Sequence, residues 1–413
     1  MLGGAAFAVA LVAGCGGSAS AAHRTTITFF QFKPEAAQYF QDLATRFEAA
    51  NPDIRVVVDT VPDPETALRT RLVKGDVPDV LTLNANGTFG ELASAGIFRD
   101  FRSDPALKGV NPGYLKVIGN LGTSSKGAVN GVPFAANASG ILYNEQISQQ
   151  QGVAVPRTWG QLIAAAKKFQ AAGITPFYGM LHDSWTAQSP LAPLTAQTLG
   201  ADFFQRRFAG RTTFAKGWRE ALEKEGTLYR YTQPDPAAPG YTDGTRAFAE
   251  GKSAMLLLGS YAVPQIRTFA PKFTVGSFAF PATDDPAKTT LVSGVDVVIT
   301  ASAHGRHRAQ SERFIRYLMQ PGVVTAYCKA QVAIPTLTGL VNRDPALEGV
   351  QPYIDSARIV GFTDHQFIPA IPLAALLQQY LIDHDVDAML HGLDSDWDKV
   401  AKRRTWALGA VQS

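Results

Sequence analysis

At 413 residues the chain is too long for one ordinary core and suits two or three domains. Hydrophobic residues at 46% with charged residues at 18% exclude wholesale disorder, and a mean hydropathy of −0.02 excludes a multi-pass membrane protein. Lys+Arg 38 against Asp+Glu 35 leaves no basic excess for binding nucleic acid, and two cysteines exclude a disulfide scaffold or a four-cysteine metal site.

The chain opens on an uncharged apolar stretch. At about 12 residues it is too short to span a bilayer, which takes about 20, and it suits the apolar region of a signal peptide. Val12-Ala13-Gly14-Cys15 then resembles a bacterial lipobox, an aliphatic residue and two small ones before the cysteine that receives lipid. Gly16 to Ser20 reads as a flexible tether. Residues 1–23 are therefore expected to be signal peptide, lipobox and tether, with Cys15 lipidated, although residues 1–14 lack the Lys or Arg of a signal-peptide start. Cys328, in Thr325-Ala326-Tyr327-Cys328-Lys329, reads as a buried small hydrophobe.

After the tether, β-branched and aromatic Thr25 to Phe30 predicts a strand. Phe40, Leu43, Ala44 and Phe47 recur at helical spacing over Glu35 to Ala50, and Asn51-Pro52 stops that helix before a second strand at Ile54 to Val58. Another helix ends at Gly75, and Val80 to Leu83 follows as a third strand. A second alternating region holds strand-like Gly140 to Tyr143, a helix over Thr158 to Ala171, and Ala254 to Leu258. Pro-rich Gln233 to Gly240 reads as a surface loop. Val295 to Thr300 is another β-branched run, followed by a helix over Arg306 to Met319 and a helical stretch from Leu373 on. This alternation predicts an α/β fold with mostly parallel sheets, whose ligands sit in loops beyond the strands' carboxyl ends, here Gln31 to Glu35 and Asn84 to Thr88.

Several segments carry a family resemblance. They are Phe47 to Val56, Lys74-Gly75-Asp76-Val77-Pro78-Asp79-Val80, Gly131-Val132-Pro133-Phe134 with Ile141 to Asn144, and Val155-Pro156-Arg157-Thr158-Trp159. Phe248 to Met255 with Gly259-Ser260-Tyr261, and Ala333 to Thr336, complete the set. In order and spacing they resemble the extracellular solute-binding proteins of ABC importers, the maltose-binding-protein-like group. The resemblance implies a two-lobed periplasmic-binding-protein fold of type II, with ligand in a cleft between hinged lobes. It implies residues 24–134 and 288–343 in lobe one, and 135–287 and 344–413 in lobe two.

Sugar recognition needs aromatic faces for C–H surfaces and planar polar groups for hydroxyls. Loops matching the family's site offer Gln31, Lys33, Glu35, Asn84 and Asn86 from the first region, Asn137 from the crossing segment, and Asp183, Trp185, Ser260 and Tyr261 from the second region. Asp296, in Ser293-Gly294-Val295-Asp296, interrupts an apolar run, and Phe362, Asp364 and His365 share one short loop. Core packing is the alternative for Trp185 and Tyr261, a solvated helix start for Lys33 and Glu35, a structural ion pair for Asp296, and a plain turn for Asp364 and His365.

The combination resembles the subgroup that binds α-1,6-linked galactosides and glucosides of the raffinose and isomaltose type. It implies a monomeric lipoprotein, held to the membrane by its lipid alone, that delivers a small oligosaccharide to the transmembrane subunits of an ABC permease without a cofactor. No nucleophile elbow, Walker A loop or zinc-protease motif occurs, and no metal or catalytic residue is expected. Asp394, Asp396 and Asp398 read as a solvated helix approach. Two alternatives stay open. One is a secreted glycoside hydrolase with carboxyls such as Asp296 and Asp364 about 5–10 Å apart, and the other is the same fold with a non-sugar solute.

Overall fold

A computed structural model describes residues 24–401 apart from 62, 63, 201, 357 and 369, so Cys15 and its tether lie outside the described residues. Two sheets organise the molecule, one at the core of each lobe. The first has the spatial order Ile334–Pro335, Val132–Ala136, Val295–Ala301, Val80–Leu83, Thr25–Gln31, Ile54–Thr60. The second runs Thr175–Phe177, Ser253–Leu256, Ile141–Asn144, Val275–Phe278.

Only part of the pairing is parallel. Thr25–Gln31 pairs parallel with both Ile54–Thr60 and Val80–Leu83, as the helical crossovers require. Val295–Ala301 is antiparallel to both its neighbours, and Ile141–Asn144 is antiparallel to both of its own. The expected mostly parallel sheets are therefore mixed. Val295–Ala301 enters the first sheet from the other lobe, so no crossover helix sets its direction.

Packing follows the predicted faces. The helix Ala37–Ala50 buries Phe40, Leu43, Ala44 and Phe47 on the first sheet, where Phe29 meets Phe40 and Phe314 edge-on at 5.4 and 5.1 Å. Asn51 ends this helix by donating from Nδ2 to the Phe47 carbonyl, and Thr158 caps the helix Trp159–Ala171 by accepting from the Gln161 amide. In the second lobe Trp218, Trp397, Phe203, Phe214 and Phe367 form one aromatic core. Asp394 serves that core rather than solvent. It accepts from the Phe214 and Ala215 amides and, four residues before Asp398 on one face of the helix Val386–Ala401, helps hold buried Arg207. Cys328 is buried on the helix Pro321–Ala330, and burial pushes its thiol pKa up.

Three segments connect the sheets: 137–140, 279–294 and 336–345. The second carries Leu291–Val292, which pairs with Ile359–Val360 as a short parallel ribbon. The third is anchored on both sides. Asn342 donates to the carbonyls of Cys328 and Ala333, and two residues later Asp344 receives both guanidinium nitrogens of Arg267 at 2.7 Å. No helix among the described residues is long and apolar enough to cross a membrane.

Candidate functional site

A cleft of about 780 Å³ opens between the lobes, within the range of small-molecule sites. From the first-sheet side come Lys33, Glu35, Asn84, Asn86 and Asp296, and Asn137 enters from the first connecting segment. Trp185, Tyr261, Phe362 and His365 face them.

Lys33 follows the strand Thr25–Gln31 and sits almost wholly buried, so it is no solvated helix start. Its ammonium lies 2.6 Å from Asp296 Oδ2 and 3.3 Å from Glu35. Burial alone would pull the Lys33 pKa down. The charge of Asp296, reinforced by Tyr327 and Glu35, outweighs it and holds the pKa well above 10.5. Asp296 Oδ1 is less committed, with a 3.4 Å contact from Asn137 Nδ2. Asn137 is itself fixed by Gly294, whose amide donates to Asn137 Oδ1 and whose carbonyl accepts from the Asn137 amide. Asn84 lines the cleft, but its Oδ1 is shielded from solvent and accepts no hydrogen bond from the described residues.

The opposite wall is aromatic. Trp185 remains 41% exposed despite its size, with Tyr241 at 5.2 Å and Tyr261 at 6.3 Å between ring centroids. The Tyr261 hydroxyl is tied to Ser189 at 2.6 Å. Phe362 and His365 stack at 4.7 Å with planes 20° apart. A core role would bury Trp185, and its 41% exposure leaves the ring open to the cleft.

Four predicted residues support this lining without joining it. Gln31 is fully buried, accepts the Lys33 amide and donates to Thr60, which fixes the bend that presents Lys33. Asp183 accepts the Tyr241 amide and so positions that ring. Ser260 clamps the first connecting segment, its amide donating to the Ala138 carbonyl and its Oγ accepting the Ala138 amide. Gly294 leaves room for Phe362, since a Cβ there would stand 2.8 Å from the ring. Asp364 lies on the turn Asp364–Gln366, and its side chain is outside what the structure describes.

The sequence reading missed Tyr241, Gln188, Ser189 and the apolar end formed by Phe367, Ile368, Ile371 and Leu373. Gln188 and Ser189 stand three and four residues after Trp185, a spacing that one helical turn brings onto the same side. Tyr241 follows the Pro-rich loop, which carries no pattern of its own. Among the described residues no cluster of three His, Cys, Asp or Glu could hold a metal.

A hinged pair of α/β lobes around a polar and aromatic cleft defines a ligand-capturing protein. The model of the bacterial extracellular solute-binding proteins matches residues 33–325, well over half the chain, and the chain belongs to that family. It is a family of binding proteins, not enzymes. A multiple sugar-binding protein of Streptococcus mutans is 29% identical over 360 residues, covering 85% of this chain and 83% of its own. The solved structure of the solute-binding protein RafE in complex with raffinose is 26% identical with a TM-score of 0.83, covering 91% of this chain and all of its own. The apo form of RafE from Streptococcus pneumoniae has the same identity and a TM-score of 0.77, covering 92% and 98%.

Proposed function

We propose that this protein captures a small oligosaccharide outside the cell, of the α-1,6-linked galactoside or glucoside class, and delivers it to an ABC permease. The observation that carries the reading is the cleft's two-sided chemistry. An exposed Trp185 platform backed by Tyr241 and Tyr261 faces Asp296, whose Oδ1 has only a long contact from Asn137 and so has acceptor capacity to spare. Sugars offer both an apolar face and paired hydroxyls to such a site. A carboxylate suits an axial hydroxyl beside an equatorial one, which favours galactose at the end bound there. Similarity to RafE in its raffinose complex supports the same class.

A hydrolase reading has less support. It needs one carboxyl as acid and another as base or nucleophile, whereas Asp296 is held as the partner of Lys33. A non-sugar anion would meet Glu35 and Asp296 beside a single Lys33.

Calorimetry with raffinose, melibiose, isomaltose and maltose tests the assignment. Trp185→Ala should weaken binding by about 2 kcal/mol or more, the scale of losing an aromatic anchor. A wild type that prefers maltose would remove the α-1,6 class. Lipid tethering through Cys15 is part of the proposal, and Cys15→Ser should release the protein to the medium with its sugar affinity unchanged. Retention of that variant at the membrane would exclude the anchor.

A further inference from the structure

We infer that Arg358, which does not line the cleft, is a positioning residue for ligand binding: it fixes the short ribbon that presents Phe362 and His365. The inference rests on the reading of the cleft as a sugar site.

The ribbon is weak by itself. Leu291–Val292 and Ile359–Val360 pair over two residues each. The Leu291 amide donates to the Arg358 carbonyl and the Ser293 amide to the Val360 carbonyl, both at 2.9 Å. Two strands of that length are marginal without further support. Yet the stretch directly after Val360 carries the stacked pair of the cleft, Phe362 and His365. Phe362 belongs to none of the large apolar cores. It packs in a satellite cluster with Ala192 and Val292, edged by Ala196 and Val360. Two of those four neighbours are ribbon residues, so a shift of the ribbon moves the ring.

Arg358 supplies the missing support. Its Nη2 donates to the carbonyls of Pro286, Ala287 and Thr289 at 3.3, 2.8 and 2.5 Å, and the guanidinium lies over the Tyr353 ring at 5.3 Å. These carbonyls gather at the end of the turn Pro286–Lys288, where a helical turn leaves its last acceptors without backbone partners. Asp285 holds the start of the same turn by accepting the Ala287 amide at 2.9 Å. The turn is thus closed at both ends, and only residues 289 and 290 separate it from Leu291. The Arg358 backbone is fixed as well, its amide donating to the Tyr353 carbonyl at 2.9 Å.

Arg358 therefore grips the second connecting segment twice, with its carbonyl inside the ribbon and with its side chain just before it. A slip of one residue, about 3.3 Å, would break the ladder and the side-chain bonds together. A binding site keeps its geometry only when the groups behind the lining are locked in this way. Trp185 stands on a separate turn, Ser184–Ala187, which Thr186 ties to Met180 and Asp183. Loss of Arg358 should accordingly cost affinity through Phe362 and His365 and leave the Trp185 contact intact.

Calorimetry with raffinose tests this, with a melting midpoint to verify that each variant is folded. Arg358→Ala should weaken binding by roughly tenfold, and Arg358→Lys, which keeps a cationic donor but not the planar fork, by less. In a Phe362→Ala background Arg358→Ala should add less than about twofold, whereas in a Trp185→Phe background it should keep roughly its full effect. Hydrogen exchange without ligand gives a second readout: the Leu291 and Ser293 amides should exchange roughly tenfold faster in Arg358→Ala. Wild-type affinity in Arg358→Ala, or an equal loss in both backgrounds, would overturn the positioning role while leaving the cleft assignment standing. A wild type that binds neither raffinose nor melibiose, isomaltose or maltose would remove the sugar reading. Exchange then decides the clamp alone: faster exchange of the two amides supports it, and unchanged exchange overturns it.

Discussion

Replacing Asp296 by Asn tests the charged floor of the cleft. The wild-type pair is 2.6 Å apart with side chains 7% and 9% exposed, a direct attraction of about 6 kcal/mol at an effective dielectric near 20. Most of that offsets the desolvation of both ions, so the pair's net stabilisation is small. Removing one partner is different, because Lys33 then stays buried with only Glu35, 3.3 Å away and 29% exposed on its side chain. Loss of a buried partner costs about 3–5 kcal/mol, and the remaining carboxylate should hold Asp296→Asn near the lower end. Lys33→Met leaves Asp296 with its long Asn137 contact and should cost a similar amount. The double variant removes both charges, so its loss should fall short of the sum by about 2–3 kcal/mol. Urea unfolding of the four proteins at neutral pH measures this cycle. Losses that add to within about 0.5 kcal/mol would refute the coupled floor.

Two further expectations concern pH. Burial lifts the Glu225 carboxyl well above 4.5, and both its oxygens lack partners among the described residues. The folded chain therefore holds a proton that the unfolded chain releases, and stability falls as pH rises between the two pKa values, by about 1.4 kcal/mol per unit. Glu225→Gln should stabilise the protein, with a larger gain at about pH 8 than at about pH 5. An equal effect at both, by urea unfolding, would exclude a retained proton. Burial pushes Asp344 up, but its bonds from Arg267 and the Ala346 amide and the Arg267 charge together hold it below 3.8. Its contribution is thus complete above that value and lost as pH falls through the lower folded pKa. Arg267→Gln should destabilise at about pH 6 by roughly 1 kcal/mol or more, and the difference from wild type should shrink under strong acid. A difference independent of pH would assign the loss to packing instead.

The alternation of strands and helices was legible in the sequence because each element follows a local period, as with Phe40, Leu43 and Phe47. The loops beyond the strands were legible for the same reason, which places Lys33, Asn84 and Asn86 near the cleft from sequence alone. Asp296 stood out as a charge within an apolar run, yet its partner lies 263 positions away, a distance no local pattern encodes. Sheet direction was misread for a related reason: Val295–Ala301 looks like any β-branched strand, and its reversal comes from where the chain has just been. Gln31, Asp183 and Ser260 sit in loops that match the family's site and Gly294 lies two residues before Asp296, but all four act one contact away from the cleft. Their residue types alone cannot separate lining from support. Tyr241 is presented through Asp183, so its place depends on a bond between segments 58 residues apart.

The double anchoring around Arg343 sets a mechanical condition on the cleft. Asn342 belongs to the frame of the first sheet and Asp344 to that of Arg267, and Asn342 Oδ1 also accepts the Asp344 amide at 3.2 Å, so any rotation on this connection must open that bond or be absorbed at residue 343. A joint that short works as a pin rather than a spring. A closure about this joint would swing rather than slide, bringing the Trp185 wall back to the same alignment with Asp296. Lengthening the joint by a single residue would add travel along the axis and blur that alignment, even with every cleft side chain left in place.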